Sequence, residues 1–344
     1  MSELWPALGL AVLACCVAAL IGRLLIWKGP RDHPDGGRKS QAQAMPTSGG
    51  LAVFFAVLPL SLVMLLISDE WLSFTYIALF ASCIYMLVMG LWDDLATLPA
   101  LPKLAAQLII ALGITMVGIR VEFIDLGRHY IELGVIAGVL GSAAWLVVVT
   151  NAVNFMDGSD GLAMGSCAMI SAGLALLASL TGVWDVATLA MILCGGLLGL
   201  LFWNGRGKLF AGDTGALFVG FYLAALTLIW VSRLESSVWI APALFIGFLS
   251  DVLLTLIWRY KHKRNLLQPH REHTFQLMIK AGTSHALTAW IYAWIAMHGI
   301  LIAGISFALP RGTAMVGFFL LLAILYFISR KIRRSAIEHG YLVP

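Results

Sequence analysis

The chain has 344 residues, of which 60% are hydrophobic and 12% charged, and its mean hydropathy is +0.92. Soluble globular domains carry roughly 25% charged residues, so a water-soluble fold is excluded. The net charge of +4 does not call for nucleic acid as a partner, and the five cysteines lie in apolar runs without a metal-binding spacing.

In chain order, apolar stretches near 5–27, 49–67, 72–92, 101–118, 131–150, 161–180, 184–203, 214–232, 237–258, 286–308 and 313–330 predict about eleven transmembrane helices. The first has neither a basic lead-in nor a small-residue cleavage pattern and reads as a retained span. Lys and Arg concentrate in alternate connections, around 28–39, at Lys103, and around 206–208, 259–280 and 330–334. The positive-inside rule therefore puts the N-terminus in the periplasm and the C-terminus in the cytoplasm. Segment 121–133 alternates apolar and polar residues around Leu126-Gly127 and predicts a short periplasmic β-hairpin. With no internal repeat, the expectation is an all-α polytopic membrane protein forming one domain over 1–344.

The inner connections also hold an unexpected surplus of acid. The first, RDHPDGGRKSQAQAMPTSGG, sets Arg38 and Lys39 ahead of Thr47 and a Gly pair; orientation alone explains part of its basic content. YMLVMGLWDDL ends a span with Asp93 and Asp94, adjacent carboxylates that need a cation or hydrogen bonds to be tolerated at an interface. In NAVNFMDGSDGLA, Asn151, Asn154, Asp157 and Asp160 recur every three residues, which predicts one polar face on a helical turn or tight loop. FAGDTGALFVG starts a helix with Asp213 between two glycines, where a plain N-cap is the bland reading. The preceding loop, Asn204 to Lys208, adds an amide and two bases suited to a phosphate or nucleotide. The longest inner loop carries His270, Arg271 and His273 after a basic stretch suited to phosphate or anionic lipid.

Carboxylates gathered in one cleft suit Mg²⁺, which takes oxygen ligands and bridges to substrate phosphates, whereas zinc is disfavoured without Cys or a His cluster. With basic residues nearby, metal-assisted phosphoryl transfer at the membrane surface is the chemistry expected.

From DHPDGGRK through MPTSGG, GLWDDL, NAVNFMDGSDGLA and FAGDTGA to PHREHTFQ, roughly residues 31–285, the chain resembles the polyprenyl-phosphate N-acetylhexosamine-1-phosphate transferases, relatives of phospho-MurNAc-pentapeptide translocase. The resemblance implies transfer of a sugar 1-phosphate from a UDP-N-acetylhexosamine to undecaprenyl phosphate, with release of UMP, at the cytoplasmic face of a bacterial inner membrane. It implies that Asp213 ligates Mg²⁺, with Mn²⁺ an acceptable substitute. It places Asp93 and Asp94 by the metal and the lipid phosphate, with Asp94 a further metal ligand and Asp93 the favoured base. Asn154, Asp157 and Asp160 fall on the nucleotide side of the cleft, with Asp157 and Asp160 joining Asp93 and Asp94 as catalytic candidates and Asn151 counted with the substrate-binding residues; Asn204 and Phe210 fall on the uracil, Arg38, Lys39 and Thr47 in a loop closing over the phosphates, and Arg271 and His273 at the diphosphate and sugar. The family's HxHH cluster reads His273-Thr274-Phe275-Gln276 here. That shortening resembles the branch initiating O-antigen or related surface polysaccharides; a UDP-GlcNAc-specific transferase for another envelope polymer is the alternative. The partners expected are the UDP-sugar, undecaprenyl phosphate and the bilayer, with a homodimer compatible and no nucleic acid. A rival of another class, an ion-coupled secondary transporter, requires acids near mid-membrane; only Asp251 lies that deep, about seven residues from its helix end, and it has no assigned role.

Overall fold

A computed structural model describes residues 4–29, 31–32, 45–67, 73–96, 98–127, 129–234, 237–266, 268, 270–310 and 312–343. Arg38 and Lys39 lie outside these residues. The elements are α1 (Leu4–Lys28), β1 (Arg31–Asp32), β2 (Met45–Pro46), α2 (Gly49–Ile67), α3 (Phe74–Ala96), α4 (Ala100–Met116), β3 (Phe123–Asp125), β4 (Tyr130–Glu132), α5 (Gly134–Met156), α6 (Leu162–Leu180), α7 (Trp184–Asn204), α8 (Gly212–Leu234), α9 (Ile240–Leu244), α10 (Ile246–Lys261), α11 (Thr274–Lys280), α12 (His285–Ser306) and α13 (Thr313–Glu338).

Nine of the described helices are long and apolar enough to cross a membrane, and α4 is a shorter apolar helix. The chain is thus a polytopic all-α membrane protein. Each apolar stretch of the sequence holds a helix, but 237–258 is not a single span. It breaks at Phe245 into α9 and α10, and there the Ala243 carbonyl group lies so close to Gly299 of α12 that a Cβ on that glycine would come within 2.9 Å of the carbonyl carbon. Hydropathy cannot register such a break, because both pieces are apolar. Helix α11 was not expected either, since its seven residues sit inside a polar connection.

Helix α8 is apolar on every side, and its most apolar window is completely buried among α2, α3, α5, α6 and α7. A helix hydrophobic all round must be enclosed, and here protein encloses it. The rim is different: only 17% of the corresponding window of α1 and 22% of that of α13 is buried. At the end where α8 finishes, Arg233 pairs with Asp185 of α7, which also accepts from the Tyr76 hydroxyl of α3 at 2.5 Å, so the mostly buried Asp185 carboxylate has a counter-charge and a hydrogen-bond donor. The expected hairpin forms at this same end: β3 and β4 pair antiparallel with Ile124 opposite Ile131, and Trp239 Nε1 donates to the Asp125 carbonyl at 2.7 Å. Chain alternation brings the ends of α3, α5, α7 and α10 and the starts of α4, α6, α8 and α12 to the opposite end.

Candidate functional site

At that opposite end, Asp94 closes the amino end of α8. Its Oδ1 accepts the Asp213 N–H at 2.9 Å, and its Oδ2 accepts the Thr214 N–H at 3.0 Å and the Thr214 hydroxyl at 2.6 Å. The first turn of a helix leaves its N–H groups without partners and attracts negative charge, so a carboxylate from α3 fits there. Gly212 makes the approach feasible: its φ is +71°, and a Cβ on it would meet Asp94 Oδ2 at 2.6 Å. Asp213 is thereby locked at the helix start without serving as the cap itself.

Asp93, one residue earlier on α3, faces another way. Its Oδ1 accepts the Leu98 N–H at 2.5 Å and its Oδ2 pairs with the Lys103 ammonium, which also reaches Asp213 Oδ2 at 2.7 Å. Asn154 on α5 donates to the other Asp213 oxygen at 2.8 Å. Groups from three other helices, α3, α4 and α5, therefore converge on Asp213 of α8. In the sequence Lys103 carries only the signal of an orienting charge; its partners lie 10 and 110 residues away, and no local pattern signals the contact.

Magnesium is commonly held by one or two carboxylates, water and substrate phosphates. The oxygens of Asp93 and Asp213 already converge on one cation, the Lys103 ammonium, and this all-oxygen donor set fits such an ion. Among the described residues no three His, Cys, Asp or Glu side chains form a ready-made metal cage. Both oxygens of Asp94, the other expected ligand, are engaged by α8.

The 151–160 motif does not keep its four polar groups on one face. Successive steps of three residues drift around a helix, and α5 ends at Met156. Asn151 turns toward α4, donating to Gln107 Oε1 and to the Val147 carbonyl, the latter at 2.8 Å. Asn154 faces Asp213, and Asp157 and Asp160 sit in the following loop. Burial pushes the Asp157 carboxyl well above its usual range, with the charges of Asp213 and Asp94 adding to the effect. Burial also raises Asp160, partly offset by His285. Ser159, between them, shares a 2.9 Å hydrogen bond with Nδ1 of His285 at the start of α12, a contact not expected from the sequence.

Asn204 lies behind this loop. Its side chain accepts the Gly161 N–H at 3.1 Å and donates to the Leu209 carbonyl at 3.0 Å, and the residue is 2% exposed. Phe210 is half-buried, and its N–H donates to the Pro46 carbonyl at 3.0 Å, placing Thr47 beside the same strand-like pairing. Arg271 lines an open recess of about 590 Å³ together with Lys263, Arg264 and Lys280. His273 is 4% exposed, and its ring stacks on Phe155 of α5 with centroids 6.1 Å apart. The three residues standing where HxHH would continue have structural partners: Thr274 bonds Ser329 of α13, Phe275 packs beside Gly158, and Gln276 Oε1 accepts the His273 N–H.

The glycosyl transferase family 4 pattern matches residues 76–231, which span α3 to α8 and so carry Asp93, Asp94, Lys103, Asn154, Asp157, Asp160, Asn204 and Asp213. The chain is 27% identical over 318 residues to the probable undecaprenyl-phosphate N-acetylglucosaminyl 1-phosphate transferase of Bacillus subtilis, covering 91% of this chain and 86% of that protein. It is 28% identical over 331 residues to the decaprenyl-phosphate N-acetylglucosaminephosphotransferase of Mycobacterium leprae, covering 87% and 82%. With the phospho-N-acetylmuramoyl-pentapeptide-transferase of Anoxybacillus flavithermus it shares 30% identity over 295 residues, covering 78% and 85%. Relatedness along most of both chains, together with a family pattern centred on the acidic cluster, makes this protein a member of glycosyl transferase family 4, within the superfamily of polyprenyl-phosphate N-acetylhexosamine-1-phosphate transferases.

Proposed function

We propose that the chain transfers a sugar 1-phosphate from a UDP-N-acetylhexosamine to undecaprenyl phosphate and so starts a lipid-linked O-antigen or another envelope polysaccharide. The observation that carries this reading is the convergence of Asp93, Lys103, Asn154 and Asp213 from four helices at one end of the bundle. A phosphate oxygen of the lipid attacks the sugar-bearing phosphorus. The new P–O bond forms as the anhydride bond to UMP breaks, and UMP leaves with the bonding pair.

Asp213 would hold Mg²⁺, with Mn²⁺ an acceptable substitute, while Asp94 fixes the turn that carries it. When bound, the ion neutralises diphosphate oxygens and stabilises charge on the departing UMP. Lys103 keeps Asp93 and Asp213 together and adds positive charge beside the phosphates. The second pKa of a phosphate monoester is about 6, so the lipid phosphate is mostly dianionic at neutral pH and Asp93 serves to position it more than to deprotonate it. Asn154, Asp157 and Asp160 bound the nucleotide side. Lys28, Arg206, Lys208 and Lys263 all belong to the site end, which supports a cytoplasmic orientation in a bacterial inner membrane.

A second reading within the same chemistry takes UDP-GlcNAc as the donor, and the names of the Bacillus and Mycobacterium relatives favour it. Purified protein given undecaprenyl phosphate and a panel of UDP-sugars should release UMP with one of them and form a lipid product of matching mass. EDTA or Asp213→Ala should abolish that release. Undiminished activity in either case defeats the metal reading, and solute flux in proteoliposomes without UMP release defeats the transferase reading.

A further inference from the structure

Asp251 lies on α10, 3% exposed, and no step of the transfer reaction uses it. An isolated buried carboxylate is costly, yet this one is surrounded by donors from three helices. Its Oδ1 accepts the Thr274 N–H at 2.7 Å and the Thr255 hydroxyl at 3.2 Å, and its Oδ2 accepts the Phe275 N–H at 3.1 Å and the Tyr292 hydroxyl. Two of these donors are the first amides of α11, and Tyr292 belongs to α12. Nδ1 of His273, the residue that opens α11, makes no hydrogen bond among the described residues and lies 3.4 Å from Asp251 Oδ1.

On its other faces the His273 ring stacks with Phe155 at the end of α5 and with His270, at 6.1 and 5.0 Å between centroids. Phe275 packs where a Cβ on Gly158 would stand 3.4 Å away. The carboxylate therefore sits directly behind the corner that carries Asp157 and Asp160.

We propose that Asp251 is a positioning residue for the transferase site, holding the first turn of α11 and the ring of His273 against the 155–158 corner. A carboxylate suits this place for a geometric reason. Both of its oxygens accept, whereas an amide would turn an NH₂ toward donors on one side. Carboxylates that orient a metal-bound histidine from behind typically change activity or affinity by about 10–100-fold when replaced, and a loss of that order is expected for this buried pair. The inference rests on the proposed transfer reaction for its kinetic readout and on the packing alone for its structural one.

The test uses the full-length protein in detergent and the variants Asp251→Asn, Tyr292→Phe, His273→Ala and the Asp251→Asn/His273→Ala pair. Asp251→Asn should speed hydrogen exchange in peptides covering 270–280 by about tenfold or more, leave α8 protected, and lower kcat by about 10–100-fold. In the His273→Ala background the same change should cost less than about twofold, because the two residues act as one unit. If Asp251→Asn does not fold, Tyr292→Phe decides: it retains the carboxylate, removes one donor, and should produce smaller changes in the same peptides and in kcat. Wild-type exchange at 270–280 in the variant that folds overturns the inference, as do losses that multiply fully in the double variant. A wild-type protein that releases no UMP from any UDP-sugar defeats the functional reading instead, and exchange at 270–280 then decides on Asp251 alone.

Discussion

Replacing Asp94 by Ala removes the acceptor for two backbone N–H groups and one hydroxyl at the amino end of α8. Hydrogen bonds to a charged group make a net contribution of about 1.5–3 kcal/mol each, and loss of a helix cap costs about 0.5–2 kcal/mol. The three bonds share one carboxylate and water can reach the helix end, so the combined cost should be about 2–4 kcal/mol. With an unfolding entropy of about 2.1 cal/mol/K per residue, that corresponds to a fall in Tm of about 3–6 °C for a chain of this length. Thermal unfolding in detergent, followed by tryptophan fluorescence, measures it. Asp213→Asn, which leaves the Asp94 bonds intact, should lower cation affinity with a much smaller change in Tm. An Asp94→Ala protein that melts like the wild type would refute the assignment of Asp94 to α8, and lost cation binding at unchanged Tm would return it to the ligand set.

Lys103→Met should leave Asp93 and Asp213 facing each other without a counter-charge and reduce kcat by at least about 100-fold, the range for removing a preorganised electrostatic group; steady-state UMP release checks this. Gly90→Ala drives a Cβ to 2.7 Å from the Asp213 carbonyl carbon and the Thr214 Cα. Because neither backbone atom can move aside, it should destabilise by about 3 kcal/mol or more, whereas Gly113→Ala, with nothing within 4 Å, should not; folded yield and Tm compare the two. The raised carboxyl of Asp157 means that the folded state holds more protons than the unfolded one. Its contribution to stability is complete below the ordinary carboxylate range and is lost as pH rises through the higher folded-state value. In cation-free buffer Tm should therefore fall with pH over that window, and Asp157→Asn should flatten the slope; equal slopes in the two proteins would contradict the burial argument.

Helices were legible in the sequence because a bilayer demands a long apolar stretch for each crossing, and α1 to α8 lie close to the predicted ranges. The aspartates were legible because acid is costly at a membrane and is seldom there without a role. Lys103 was not, because a single base near the start of an apolar helix satisfies the orientation rule by itself and nothing nearby shows the contact with Asp213. Nor was the separation of Asp93 from Asp94: adjacent residues on a helix point about 100° apart, and only packing shows which one meets α8. Asn151 is indistinguishable from its neighbours in the motif, and only tertiary packing sets Gln107 opposite it. The purpose of Asp251 depends on amides 23 and 24 residues away, beyond any local pattern.

The enclosure of α8 has a consequence for how the enzyme experiences its membrane. A helix in contact with lipid must match the thickness of the hydrocarbon layer and tilts or thins it when it does not. Because α8 meets only protein, the height of Asp213 is set by neighbouring helices rather than by acyl chains. Variation in bilayer thickness falls on the exposed flanks of α1 and α13, so the acidic cluster keeps its internal spacing while the rim accommodates the lipid.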